Sequence, residues 1–151
     1  MLIRKIAYCT DFSHNAEIAF EAALETAQKF DAKLTILHAL PPVINPVLTD
    51  MEMMLPDESR ESLVQKLEQK MRDVYGSRIP GNIAYQLVVL DGHVSSTILQ
   101  YLTEHNIDLV ILGAYGLSGV ELVLFGSVAK RIAHKAPCSV LIIREKQKVT
   151  S

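Results

Sequence analysis

Apolar positions follow two alternating rhythms along the chain. Five short runs, at residues 3–9, 33–39, 83–89, 108–112 and 139–143, are rich in aliphatic and β-branched side chains. Between them, apolar residues return every three or four positions, the spacing of one helix face. Ala16, Ala19, Phe20, Ala23 and Ala27 form such a stripe, with Glu17, Glu21, Glu25 and Lys29 on the other faces. This predicts a helix over His14–Phe30 with Ser13 as its N-cap. A second helix is expected over 57–75, opening after Pro56, with Leu63, Leu67, Met71 and Val74 inward and Gly76 as its stop. A third, over 95–106, turns Ile98, Leu99 and Leu102 inward, and a fourth, over Ser127–Lys135, ends before Pro137.

Strands that alternate with helices point to parallel βαβ units and an α/β fold. The runs Leu109-Val110-Ile111-Leu112 and Val140-Leu141-Ile142-Ile143 are apolar without alternation, as in strands buried on both faces. One stretch does not fit. Residues 41–56 hold four prolines and three methionines, long for a connection in a compact domain, so a lid or mobile segment and a packed apolar loop are both open readings. No repeat or second domain is apparent: one domain over 1–146 and a short tail over 147–151.

Composition narrows the partners. With 151 residues, 49% hydrophobic and 21% charged, the chain suits one folded core. A net charge of -2 without a basic cluster argues against a nucleic-acid partner and a polybasic membrane patch. No segment has the length and apolarity of a membrane span, and the first residues lack a signal-peptide pattern, so a cytoplasmic location is expected. Cys9 and Cys138 fall at opposite ends of their strands and are expected as free thiols.

Candidate chemistry concentrates in two loops. Open parallel sheets bind ligands beyond the carboxyl ends of their strands, where the strand order reverses. Four of the seven glycines lie in the loop after the fourth strand: Gly113, Gly116, Gly119 and Gly126. They lead into a helix whose first N–H groups and hydroxyl (Ser127) suit an anion, although glycines also serve plain turns. After the first strand, Thr10-Asp11-Phe12-Ser13 sets a carboxylate at a strand end, where it suits a ribose or simply caps the next helix.

These residues carry a resemblance. Gly113, two residues, Gly116, nine residues, then Gly126-Ser127 is the glycine pattern of the ATP-binding branch of the universal stress protein family. Thr10-Asp11-Phe12-Ser13, Asp91-Gly92 and His134-Lys135-Ala136-Pro137-Cys138 are similar as well, so that the likeness spans nearly the whole chain. It implies a three-layer sandwich of the adenine nucleotide alpha hydrolase-like kind, with a five-stranded parallel sheet in order 3-2-1-4-5. It further implies ATP as ligand, accompanied by Mg2+ or Mn2+. Gly116, Gly126, Ser127 and Val128 would hold the phosphates, Gly113 would lie near the ribose, and Thr10 and Asp11 would line the ribose and phosphate side. Ala39 and Leu40 would meet the adenine through backbone groups. Relatives pair the last strand across a two-fold axis, so a homodimer through 139–144 is expected, with an unidentified regulatory partner and a response passing through 41–56.

Two other classes stay open. A nucleotide-free dimerising stress protein would lack the complete glycine pattern. An ATP-hydrolysing enzyme would need catalytic parts that are missing: no lysine-bearing P-loop is present, and no Lys or Arg stands within the glycine loop. The five histidines show no metal-ligand spacing, and Gly116-Leu117-Ser118-Gly119 lacks a complete nucleophile elbow.

Overall fold

A computed structural model describes residues 2–41, 57–115 and 126–146. In chain order the elements are β1 (Lys5–Cys9), α1 (His14–Phe30), β2 (Lys33–Leu40), α2 (Asp57–Val74), a 3-10 turn (Gly76–Arg78), β3 (Tyr85–Asp91), α3 (Val94–Glu104), β4 (Leu109–Gly113), α4 (Ser127–Lys135) and β5 (Ser139–Ile143). All strand pairs are parallel, and the sheet order is β3-β2-β1-β4-β5. The expected α/β fold and strand order are therefore present.

Each face of the sheet has its own core. On one, Phe20, Ala23 and Ala27 of α1 and Met71 of α2 pack with Ile6, Tyr8, Ile36 and Ile111. On the other, Ile98 and Leu102 of α3 and Ala129 and Ile132 of α4 pack with Ala7, Leu37, Val110 and Leu112. The central strands β1 and β4 are buried on both sides, which explains their unbroken apolar runs. β5 reads the same way in sequence but is a sheet edge; its residues are only half covered, and Leu141 is exposed.

The α1 helix matches its expected bounds because its signals are local. Ser13 Oγ accepts the Ala16 N–H at 3.2 Å, and Asp31 ends the helix in the left-handed region (φ 51°). The α2 stripe departs from expectation. Met71 is fully buried, but Leu63 is 38% exposed, and Tyr75, just past the helix, is the other buried anchor. Among the described residues, the core neighbours of α2 lie along its C-terminal half. Its first turn is held instead by the Arg60 guanidinium, which donates to both Asp91 carboxylate oxygens and to the Pro41 carbonyl (3.4 Å). β1 starts two residues later than expected, where the Arg4 and Lys5 N–H groups turn to the Asp108 carboxylate, both at 2.9 Å. Both thiols are free, as expected.

Candidate functional site

The sheet order reverses between β1 and β4, and the carboxyl ends of β1, β2 and β4 lie side by side. Extending the β1–β4 register past Tyr8↔Ile111 sets Thr10 level with Gly113. The two loops singled out in the sequence therefore leave the sheet next to each other. Thr10, Asp11, Ala39, Leu40 and Gly113 cluster at this rim; Gly116 lies outside the described residues, as do residues 42–56.

The turn after β1 is tightly specified. The Thr10 N–H continues the ladder to the Leu37 carbonyl at 2.9 Å. Thr10 Oγ1 accepts the Phe12 N–H, and Asp11 Oδ1 accepts the Ser13 N–H, each at 2.9 Å. These side-chain bonds stabilise a chain reversal in which Phe12 takes φ 63°, an unusual state for a bulky residue.

Three side chains missed by sequence reasoning hold this turn in place. The Tyr75 hydroxyl bonds to Thr10 Oγ1 and lies 3.4 Å from the Tyr8 hydroxyl, which donates to the Ala16 carbonyl at 2.5 Å. Burial pushes both phenols above their ordinary pKa, so both stay protonated donors. From β2, His38 Nδ1 lies 2.8 Å from the Thr10 carbonyl, and its ring sits 4.7 Å from that of Phe12. A carbonyl only accepts, so Nδ1 carries the proton. Burial lowers the pKa of His38, against the opposing pull of the Thr10 carbonyl and the Asp11 charge; Lys70 adds to the lowering. Lys70 Nζ stands 4.2 Å above the Phe12 ring. No local sequence pattern marks these residues, because their partners lie far along the chain.

The β4 side presents main chain. The Gly126 N–H donates to the Ala114 carbonyl at 2.7 Å, bringing the start of α4 back to the end of β4. Gly126 is the N-cap of α4 and offers no side-chain bond, while its carbonyl takes the Lys130 N–H at 3.0 Å. The Ser127, Val128 and Ala129 N–H groups thus stand at the positive end of the helix without an acceptor inside it. Gly113 has a packing role of its own. A Cβ there would lie 2.8 Å from the Asn15 carbonyl oxygen and 2.9 Å from its carbon, so α1 can start this close only over a glycine.

An open parallel sheet of this order, with loops converging at the reversal, defines a doubly wound α/β fold, a class in which ligand sites generally lie outside the strand ends. The sequence model of the universal stress protein family matches residues 2–144. A universal stress protein of Methanocaldococcus jannaschii is 29% identical over 97% of this chain and 85% of its own length. The structure of a universal stress protein from Lactobacillus plantarum superposes with a TM-score of 0.74 at 27% identity, covering 95% of this chain and 99% of that one. The chain belongs to the universal stress protein family. Similar folds include a universal stress protein in complex with cAMP (TM-score 0.66, 20% identity, 97% and 100% of the two chains). Another is the Archaeoglobus fulgidus protein in complex with dAMP (TM-score 0.59, 19% identity, 95% and 100%).

Proposed function

We propose that this protein binds ATP at the reversal of its sheet and serves as a nucleotide-responsive regulator, with at most slow hydrolysis. The carrying observation is the meeting of three features at one rim: the carboxylate-bearing turn after β1, the open end of β2, and the uncapped N-terminus of α4. An anion suits the α4 N–H groups and the Ser127 hydroxyl. Asp11 Oδ1 is engaged by Ser13, which leaves Oδ2 for a ribose hydroxyl. Strand alternation aims the Ala39 N–H and carbonyl toward β1, which has turned away at Thr10. That donor–acceptor pair suits the N1 and N6 edge of adenine and opposes the reversed edge of guanine. The Leu40 carbonyl already takes the Gly92 N–H at 3.1 Å, so on β2 Ala39 carries the base contact.

The complexes of related folds with cAMP and dAMP support an adenine nucleotide as the ligand class. The complete glycine pattern, Gly113, Gly116, Gly126 and Ser127, favours ATP among them. Mg2+ or Mn2+ would arrive with the phosphates, Asp11 being the carboxylate of the adjoining turn. The edge strand β5, with Leu141 exposed, would pair with its copy over 139–144 to give a homodimer. The test is the nucleotide content of purified protein after denaturation, with Gly116→Val as control. ATP in the native protein and none in the variant is expected. If both lack nucleotide and neither takes up added ATP, the nucleotide-free dimer is the better account.

A further inference from the structure

The β1–β2 ladder is regular until its last rung. Odd-numbered residues of β2 face β1: the Lys33 N–H donates to the Arg4 carbonyl, and the Leu37 carbonyl accepts the Thr10 N–H, both at 2.9 Å. Even-numbered residues face β3, as the Leu34 N–H (to Ala84, 2.9 Å) and the Leu40 carbonyl (from Gly92) show. Continued by this register, the next rung would run from the Ala39 N–H to the Thr10 carbonyl. Among the described residues that rung is not made. The Thr10 carbonyl takes His38 Nδ1 instead, at 2.8 Å.

We infer that His38 is a positioning residue that replaces the last rung of the ladder, so that the Ala39 N–H is kept for the ligand. This rests on the nucleotide reading above and adds to it how the adenine-facing amide is left open. Where a strand leaves a sheet, its terminal carbonyl needs a donor. The neighbouring amide is the usual one, and it would close the strand end. A side-chain donor from the preceding residue satisfies the carbonyl equally well. The Phe12 ring beside the imidazole, 4.7 Å between centroids, restricts its rotation and keeps Nδ1 on the carbonyl. The same bond fixes the Thr10 peptide and hence the Asp11 carboxylate that follows. Ala39 itself is 7% exposed, and a buried amide without an acceptor is costly, so a partner from outside the ladder gains the full benefit of satisfying it.

The inference is tested by amide hydrogen exchange and binding, on wild type, His38→Phe and His38→Gln. In the ligand-free wild type, the Ala39 amide should exchange at least tenfold faster than that of Leu37, one rung earlier. Nitrogen-15 shifts should show the His38 ring protonated on Nδ1. In His38→Phe the rung closes, Ala39 becomes protected, and ATP binds about tenfold more weakly, the scale of one lost hydrogen bond. His38→Gln, which retains a side-chain donor, should recover part of that affinity. An Ala39 amide as protected as Leu37 in the ligand-free wild type overturns the inference, even if ATP binds. A ring protonated on Nε2 overturns it as well. If Ala39 is unprotected but the wild type binds no adenine nucleotide, the displaced rung stands and the nucleotide reading fails, taking with it the ligand role of the amide.

Discussion

Replacing Gly113 with alanine tests whether the start of α1 is fixed against the end of β4. The new methyl carbon would sit 2.8 Å from the Asn15 carbonyl oxygen, 2.9 Å from its carbon and 3.1 Å from its Cβ. Two of these atoms are main chain, so no rotamer change relieves the clash. The first turn of α1 would have to lift, against the Ser13 cap (3.2 Å) and the bond from Tyr8 to Ala16 (2.5 Å). Overpacking of this kind costs about 1–3 kcal/mol. For a domain of this size each kcal/mol lowers Tm by about 2–4 °C. Gly81→Ala is the matched control: a Cβ at Gly81 would meet nothing within 4 Å, and its φ is unstrained. It should be neutral or stabilise by a few tenths up to about 1 kcal/mol, by restricting the unfolded chain. Urea denaturation of the two variants beside wild type measures the difference. A Gly113→Ala protein within about 0.5 kcal/mol of wild type, the range of inert surface changes, would refute the close approach.

Three further outcomes are expected. Tyr75→Phe removes the hydroxyl paired with buried Thr10 and should cost about 1–3 kcal/mol in urea denaturation, whereas Tyr85→Phe, at a 41% exposed ring, should be near neutral. Because burial lowers the His38 pKa below 6.5, the unfolded chain binds the extra proton more readily. The contribution of His38 to stability is complete above pH 6.5 and lost as pH falls through that value toward the folded pKa, with Asp11 and Lys70 as the facing charges. His38→Gln should flatten the stability profile between pH 7 and 5, and an unchanged slope would count against it. Burial pushes the Cys9 thiol up to about 12, so at pH 8 iodoacetamide should modify half-buried Cys138 first and Cys9 only on unfolding; equal rates would contradict its burial.

The layout of the fold is legible in the sequence wherever the signals are local. The α1 stripe and its Ser13 cap lie within one segment, and the apolar run of β4 matches its burial on both faces. The α2 face is misjudged from sequence, because periodicity shows which side is apolar but not how far along the helix the sheet extends. Leu63 lies on the right stripe, yet it is exposed. β5 is the sheet edge that the expected order makes it, but its apolar run reads like that of a central strand and does not show that it is only half covered. At the site, Asp11 and the glycines stand out through spacing. His38, Tyr8, Tyr75 and Lys70 do not, because each has a partner 28 to 67 residues away that only the folded chain brings near; the bond from Tyr8 to Ala16 spans just eight residues.

The central claim, an adenine nucleotide held at the carboxyl ends of β1, β2 and β4, is tested most directly by titrating nitrogen-15-labelled protein with ATP and Mg2+. The account predicts saturable amide shifts at Thr10–Ser13, Ala39, Gly113 and Gly126–Val128, with far smaller shifts on GTP addition. Shifts confined to the opposite rim, around Asp31 and Asp108, or none at millimolar ATP, would contradict it.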